Sequence, residues 1–108
     1  MLRLILPLVF ALVSSVAWGN AVPEFTLTIR QHRFIPSELT IPANTKVKLV
    51  IVNEDATAEE FESHELNREK IVAGKGRITV YVGPLKSGRY PFFGEFHMAT
   101  AQGALLVK

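Results

Sequence analysis

Two short stretches of this chain gather side chains able to hold a metal ion. Glu59, Glu62, His64 and Glu65 lie in the first, and Glu95, His97 and Met98 lie in the second. Carboxylates and imidazoles together bind iron, zinc or divalent copper, and a thioether adds tolerance for cuprous ion. No thiolate can join them, because the 108 residues contain no cysteine. Each candidate also has a plainer reading. Glu60, Glu62 and Glu65, with Arg68, Glu69 and Lys70 nearby, suit a solvated charged edge held by weak surface ion pairs. Met98 suits a hydrophobic plug equally well. His32, in Arg30-Gln-His-Arg33, is flanked by cations that disfavour a bound metal and is expected at the surface.

Other chemistries lack their parts. There is no cysteine nucleophile and no Gly-x-Ser-x-Gly elbow, and no helix follows Gly74-Lys75-Gly76 to make a phosphate loop. No stretch interleaves Lys and Arg with aromatics in the manner of a nucleic-acid surface, so nucleic acid is not expected as a partner.

The elements that must position the candidate ligands read as strands. Phe25 to Arg30 alternates as Phe-Thr-Leu-Thr-Ile-Arg, which puts Phe25, Leu27 and Ile29 on one face of a half-buried strand. Glu38 to Ile41, Lys46 to Asn53, Arg77 to Val82, Arg89 to Phe93 and Gly103 to Lys108 behave alike. Turn residues separate them at Pro42-Ala43-Asn44, Asn53-Glu54-Asp55, Gly74-Lys75-Gly76, Gly83-Pro84 and Ser87-Gly88. Ala58 to Lys70 suits an exposed helical turn as well as a strand. About seven strands with turns between them predict an all-β Greek-key sandwich or barrel.

Residues 1–19 carry one positive charge at Arg3, an apolar run from Leu4 to Val13, and then small residues, the pattern of a secretory signal. Cleavage after Gly19 or after Ala21 is compatible with the small residues there, leaving one domain from residue 20 to 108. A retained anchor is the competing reading, but the apolar run is shorter than the roughly 20 residues a spanning helix needs and Pro7 interrupts it. Without the leader, eleven Lys and Arg stand against ten Asp and Glu, a nearly neutral domain. Export without cysteine means that a core, and no disulfide, holds the fold, and the bacterial periplasm is the expected compartment.

The run Phe34-Ile-Pro-Ser-Glu-Leu-Thr-Ile-Pro-Ala-Asn-Thr, then Val47 to Asp55, then Gly88-Arg-Tyr-Pro-Phe-Phe-Gly-Glu-Phe-His97, resembles the cupredoxin family over nearly the whole chain after the leader. Glu60 to Lys70 and Phe93 to His97 are similar to the cupredoxin-like proteins of bacterial periplasmic iron-uptake systems, the EfeO and FtrB type. That resemblance implies capture or oxidation of ferrous iron, a bound iron or copper ion, and delivery through a periplasmic partner to an inner-membrane permease. Carried over by position, it places the first blue-copper His at Glu59, the Cys at Gly94, the second His at His97 and the axial Met near Gln102. A blue-copper site of two His, one Cys and a weak axial Met cannot form. In the fold that the resemblance implies, both ligand-bearing stretches converge at one end, so Glu59, Glu62, His64, Glu65, Glu95, His97 and Met98 are the expected metal set. The competing expectation is a fold that has lost its metal and serves as an interaction or structural module.

Overall fold

Alternating burial organises the chain, and the computed structural model describes residues 21–108. The leader expected over residues 1–19 lies outside the described residues. Strand β1 (Glu24–Arg30) buries Leu27 and Ile29 between more exposed neighbours, as period two requires. It is followed by β2 (Arg33–Ile35), β3 (Glu38–Ile41), β4 (Val47–Asn53), β5 (Glu59–Ser63), β6 (Arg68–Val72), β7 (Arg77–Val82), β8 (Gly88–Gly94), a single 3-10 turn (Glu95–His97) and β9 (Gln102–Val107). Among the described residues there is no α-helix.

The described residues form nine strands rather than about seven, for two local reasons. Gln31 and His32, both at positive φ, make a two-residue turn that cuts β2 from β1. Glu59 to Val72 is a β5–β6 hairpin, and no helical turn forms there. Its charges disguise a period-two pattern in which Glu59, Phe61 and Ser63 point inward. Ser63 closes the hairpin: its hydroxyl accepts from Leu66 N and donates to Pro91 O in β8.

Two sheets face each other, ordered β2-β1-β4-β7 and β3-β9-β8-β5-β6. The β1–β4 and β3–β9 pairs are parallel and the remaining pairs antiparallel, which is the crossed connectivity of a Greek-key sandwich. Leu27, Ile29, Leu49, Ile51, Val80 and Val82 meet Ile41, Phe61, Val72, Phe92, Leu105 and Val107 across the interior. This buried apolar area supplies the main driving force, about 25 cal/mol per Å². Phe34, Phe61 and Phe92 form an aromatic cluster, with centroids 4.8 Å apart for Phe34–Phe92 and 5.2 Å for Phe61–Phe92. Two of these rings belong to β5 and β8, the strands that carry the candidate ligands, so the core fixes how those strands approach.

Candidate functional site

Glu59 opens β5 in the same inward phase as Phe61, and Phe61 pairs with Gly94 at the end of β8. A carboxylate is thereby driven into the interior, where its side chain is only 2% exposed. It survives there because its oxygens are satisfied. Oε1 accepts from the backbone N of Phe96 at 2.8 Å and of Glu60 at 2.9 Å, and Oε2 lies 2.6 Å from His97 Nδ1. Among the described residues no buried side-chain nitrogen or oxygen lacks a partner.

Gly94 makes room for this arrangement. A Cβ on Gly94 would stand 2.6 Å from Glu59 Cδ, 2.7 Å from Glu59 Oε2 and 2.6 Å from Ala101 Cβ, inside any normal contact. The Glu59 carboxylate therefore occupies space that a side chain at position 94 would need.

A second set of contacts orders the imidazoles. The Asn53-Glu54-Asp55 turn is held by the Asn53 side chain, which accepts from Asp55 N at 3.0 Å and donates to Thr57 O at 2.8 Å. Asp55 then accepts from Gln31 N and His32 N at 2.8 and 2.9 Å, fixing two non-glycine residues at φ values of 53° and 56°. Burial alone would push the Asp55 carboxyl up, but these two N–H groups and the nearby His32 and Lys75 outweigh it, and its pKa sits below the ordinary value. His32, expected at the surface, is instead half-buried and stacked on His97, with ring centroids 3.5 Å apart. Its carbonyl accepts from the Thr100 hydroxyl at 2.6 Å.

The outward-facing carboxylates make a separate group. Glu60, Glu62 and Glu95 each place one oxygen so that all three lie within 4.8 Å of one another. Glu69 stands opposite Glu62 across the β5–β6 ladder. Partial burial, a hydrogen bond with Glu62 and the charges of Glu69, Glu62 and Glu95 push the Glu60 carboxyl up to about 7. The expected ion pairs with Arg68 and Lys70 do not form. Arg68 donates to Tyr81 O, Leu66 O and Asn67 O, and Lys70 donates to Thr79 O, so both cations cap backbone carbonyls.

Of the expected metal set, Glu62 and Glu95 come together, and Glu59 and His97 come together as a pair one layer deeper. His64 is exposed, its Nε2 3.7 Å from Glu62 Oε2. Glu65 and Met98 are exposed, and the Met98 carbonyl accepts from Gln102 Nε2 at 2.7 Å. Glu60 lies outside the metal set expected from sequence, where it suits a solvated edge. The signal that places it beside Glu62 is strand parity: with Phe61 inward, 60 and 62 share the outer face.

A two-sheet Greek-key sandwich with a His and a carboxylate where β5 meets the β8–β9 connection defines a protein of the cupredoxin type. The chain belongs to the family described as the cupredoxin-like domain, whose model matches residues 3–107. It is 49% identical over 89 residues to an uncharacterized protein of Rickettsia prowazekii (strain Madrid E), covering 82% of this chain and 71% of that one. Among solved structures it is similar to the metal binding domain of the Cu(I)-exporting P-type ATPase CopA of Streptococcus pneumoniae D39, with a TM-score of 0.70 and 12% identity over 82% of this chain and 88% of that one. It is also similar to auracyanin A, a blue copper protein of Chloroflexus aurantiacus, with a TM-score of 0.68 and 15% identity over 82% of this chain and all of that one. At such identities these likenesses speak for the fold alone.

The residues present do not fit a blue-copper centre. The thiolate is absent from the sequence, position 94 has no side chain, and the Glu59 carboxylate fills the space beside it. Nor does an ion fit between Glu59 and His97 as they stand. Ligand atoms each about 2.0–2.2 Å from a metal are separated by roughly 3 Å or more, whereas this pair is 2.6 Å apart and hydrogen-bonded.

Proposed function

We propose that this chain is an exported, periplasmic metal-handling protein that takes up ferrous iron or cupric ion through carboxylates, in an iron-uptake system of the EfeO and FtrB type. The observation that carries this reading is the Glu60, Glu62 and Glu95 constellation, three carboxylates within 4.8 Å of one another that form no ion pair with Lys or Arg among the described residues. Oxygen ligands at about 2.0–2.5 Å from one ion span at most roughly 4–5 Å, so the spacing suits a single divalent cation. His64, beside Glu62, offers an imidazole at the rim. Oxygen-rich ligation favours ferric over ferrous iron, which suits capture of the ion, or its loss of one electron to an external acceptor such as dioxygen, before it passes to a periplasmic partner and an inner-membrane permease. Copper binding by relatives of the same fold supports a metal role and leaves the choice of ion to experiment.

Titration calorimetry of the exported protein with cupric ion and, without oxygen, with ferrous ion tests this directly. Stoichiometric binding, weakened at least about tenfold in Glu62→Gln/Glu95→Gln, is the expected result. Binding no tighter than millimolar for both ions would sink the proposal and leave a metal-free interaction module, a reading favoured by the engagement of both Glu59 oxygens with protein donors.

A further inference from the structure

We infer that the Glu59 carboxylate, filling the space a side chain at position 94 would need, ties β5 to the β8–β9 connection in place of a metal ion, and that Gly94 is its obligatory complement. This is independent of the carboxylate constellation on the outer face.

A metal at the end of this fold would tie β5 to the connection between β8 and β9. In this chain one carboxylate makes that tie. The 3-10 turn Glu95–His97 has no buried residue of its own and no side-chain hydrogen bond at its N-terminus. Its attachment to β5 runs through Glu59, which accepts from Phe96 N and engages His97 Nδ1 while also accepting from its neighbour Glu60 N. One donor from β5 and two from a segment more than thirty residues further along the chain thus converge on a single buried carboxylate.

Two groups contest the space at 94. A Cβ there would stand 2.6 to 2.7 Å from the Glu59 carboxylate and 2.6 Å from Ala101 Cβ, so a side chain at 94 requires removal of the carboxylate and a shift of Ala101 as well. Glycine at 94 with glutamate at 59 is the pairing on which this chain closes, and it closes without a metal. The two residues thus form a single unit, with His97 held to the carboxylate through Nδ1.

The experiment is a pair of measurements on the full exported protein. In the first, cupric ion is added to wild type, Gly94→Cys and Glu59→His/Gly94→Cys, and the visible spectrum is recorded. The double variant is expected to develop the intense thiolate-to-copper band, while Gly94→Cys alone and wild type show none; an equally intense band in Gly94→Cys alone would overturn the inference. In the second, which does not depend on the double cysteine variant folding, melting temperatures of Gly94→Ala, Glu59→Ala and the two combined are compared after chelator treatment. Each single change is expected to lower the midpoint by roughly 5–10 °C, and the combination by clearly less than their sum. Additive losses would show that 59 and 94 are unconnected and would overturn the inference as well. Neither readout depends on whether ferrous iron binds at Glu60, Glu62 and Glu95.

Discussion

The imidazole of His32 lies flat on that of His97, 3.5 Å between centroids and 12° from parallel. The two rings come from opposite sheets, His32 at the β1–β2 turn and His97 just past β8. Their contact joins two sets of hydrogen bonds: on one side the Asn53 side chain accepts from Asp55 N and the Asp55 carboxylate from His32 N, and on the other His97 Nδ1 engages Glu59 Oε2.

Asp55 is the link most open to test. Asp55→Ala removes the acceptor of two backbone N–H groups that hold Gln31 and His32 at positive φ, and is expected to cost about 1–3 kcal/mol. The urea midpoint should fall and the His32 ring resonances should shift. Because the folded carboxyl pKa lies below its unfolded value, the Asp55 contribution is present above the unfolded pKa and disappears as pH falls through the folded one. An Asp55→Ala protein with the wild-type acid unfolding profile would argue against this assignment.

Glu60 titrates in the opposite sense. Its carboxyl is raised from 4.5 to about 7, so between those values the folded chain binds a proton that the unfolded chain releases. Its contribution to stability therefore declines as pH rises from 4.5 to 7. Carboxyl-carbon NMR should report the raised midpoint, and Glu62→Gln should bring it back toward the ordinary carboxylate range. If the midpoint does not move, the charge of Glu62 is not the cause.

Metal uptake at the same carboxylates must displace that proton. Affinity for cupric ion is expected to rise by up to about tenfold per pH unit below pH 7 and to level off above it. Calorimetry in buffers of different ionisation enthalpy should reveal about one proton released per ion bound at pH 6. Binding without proton release would place the ion elsewhere.

His97→Ala leaves one oxygen of a buried carboxylate without its donor. A loss of about 1–3 kcal/mol is expected in chemical denaturation, with a smaller loss for His97→Gln, whose amide can donate to Glu59 Oε2. Equal stability of wild type and His97→Ala would mean that the 2.6 Å contact contributes nothing to folding.

Gly83 is a backbone requirement away from the site. At a φ of +90° it sits where L side chains are strained, and a Cβ there would run into the Thr45 carbonyl. Gly83→Ala is expected to cost about 1–3 kcal/mol by thermal denaturation without altering metal binding. A midpoint equal to wild type would show that the β7–β8 connection relaxes freely.

Elements whose signal is local were legible without the fold. Phe25 to Arg30, Glu38 to Ile41 and Arg77 to Val82 alternate on a period of two and fold as strands, and the turns at Asn53-Glu54-Asp55 and Gly74-Lys75-Gly76 carry their own hydrogen-bonding chemistry. The lack of cysteine excluded a thiolate site outright, because composition needs no geometry. Carried over from the cupredoxin resemblance, position-by-position reading singled out Glu59 and Gly94 as altered ligand positions and His97 as a retained one. What tertiary structure alone decided was which of the acidic residues meet, and in what state. Glu59 and Glu60 are neighbours in sequence, yet β5 parity sends one inward to His97 and the other outward to Glu62 and Glu95. The pairing of Phe61 with Gly94 sets that register, and it depends on packing Phe61 and Phe92 into one core across more than thirty residues of chain. The capture of His32 by His97 and the diversion of Arg68 and Lys70 to backbone carbonyls are contacts between distant elements of the same kind. Strand periodicity constrains which face a side chain takes, but the partner it meets there is fixed only when the sheets close on a shared core.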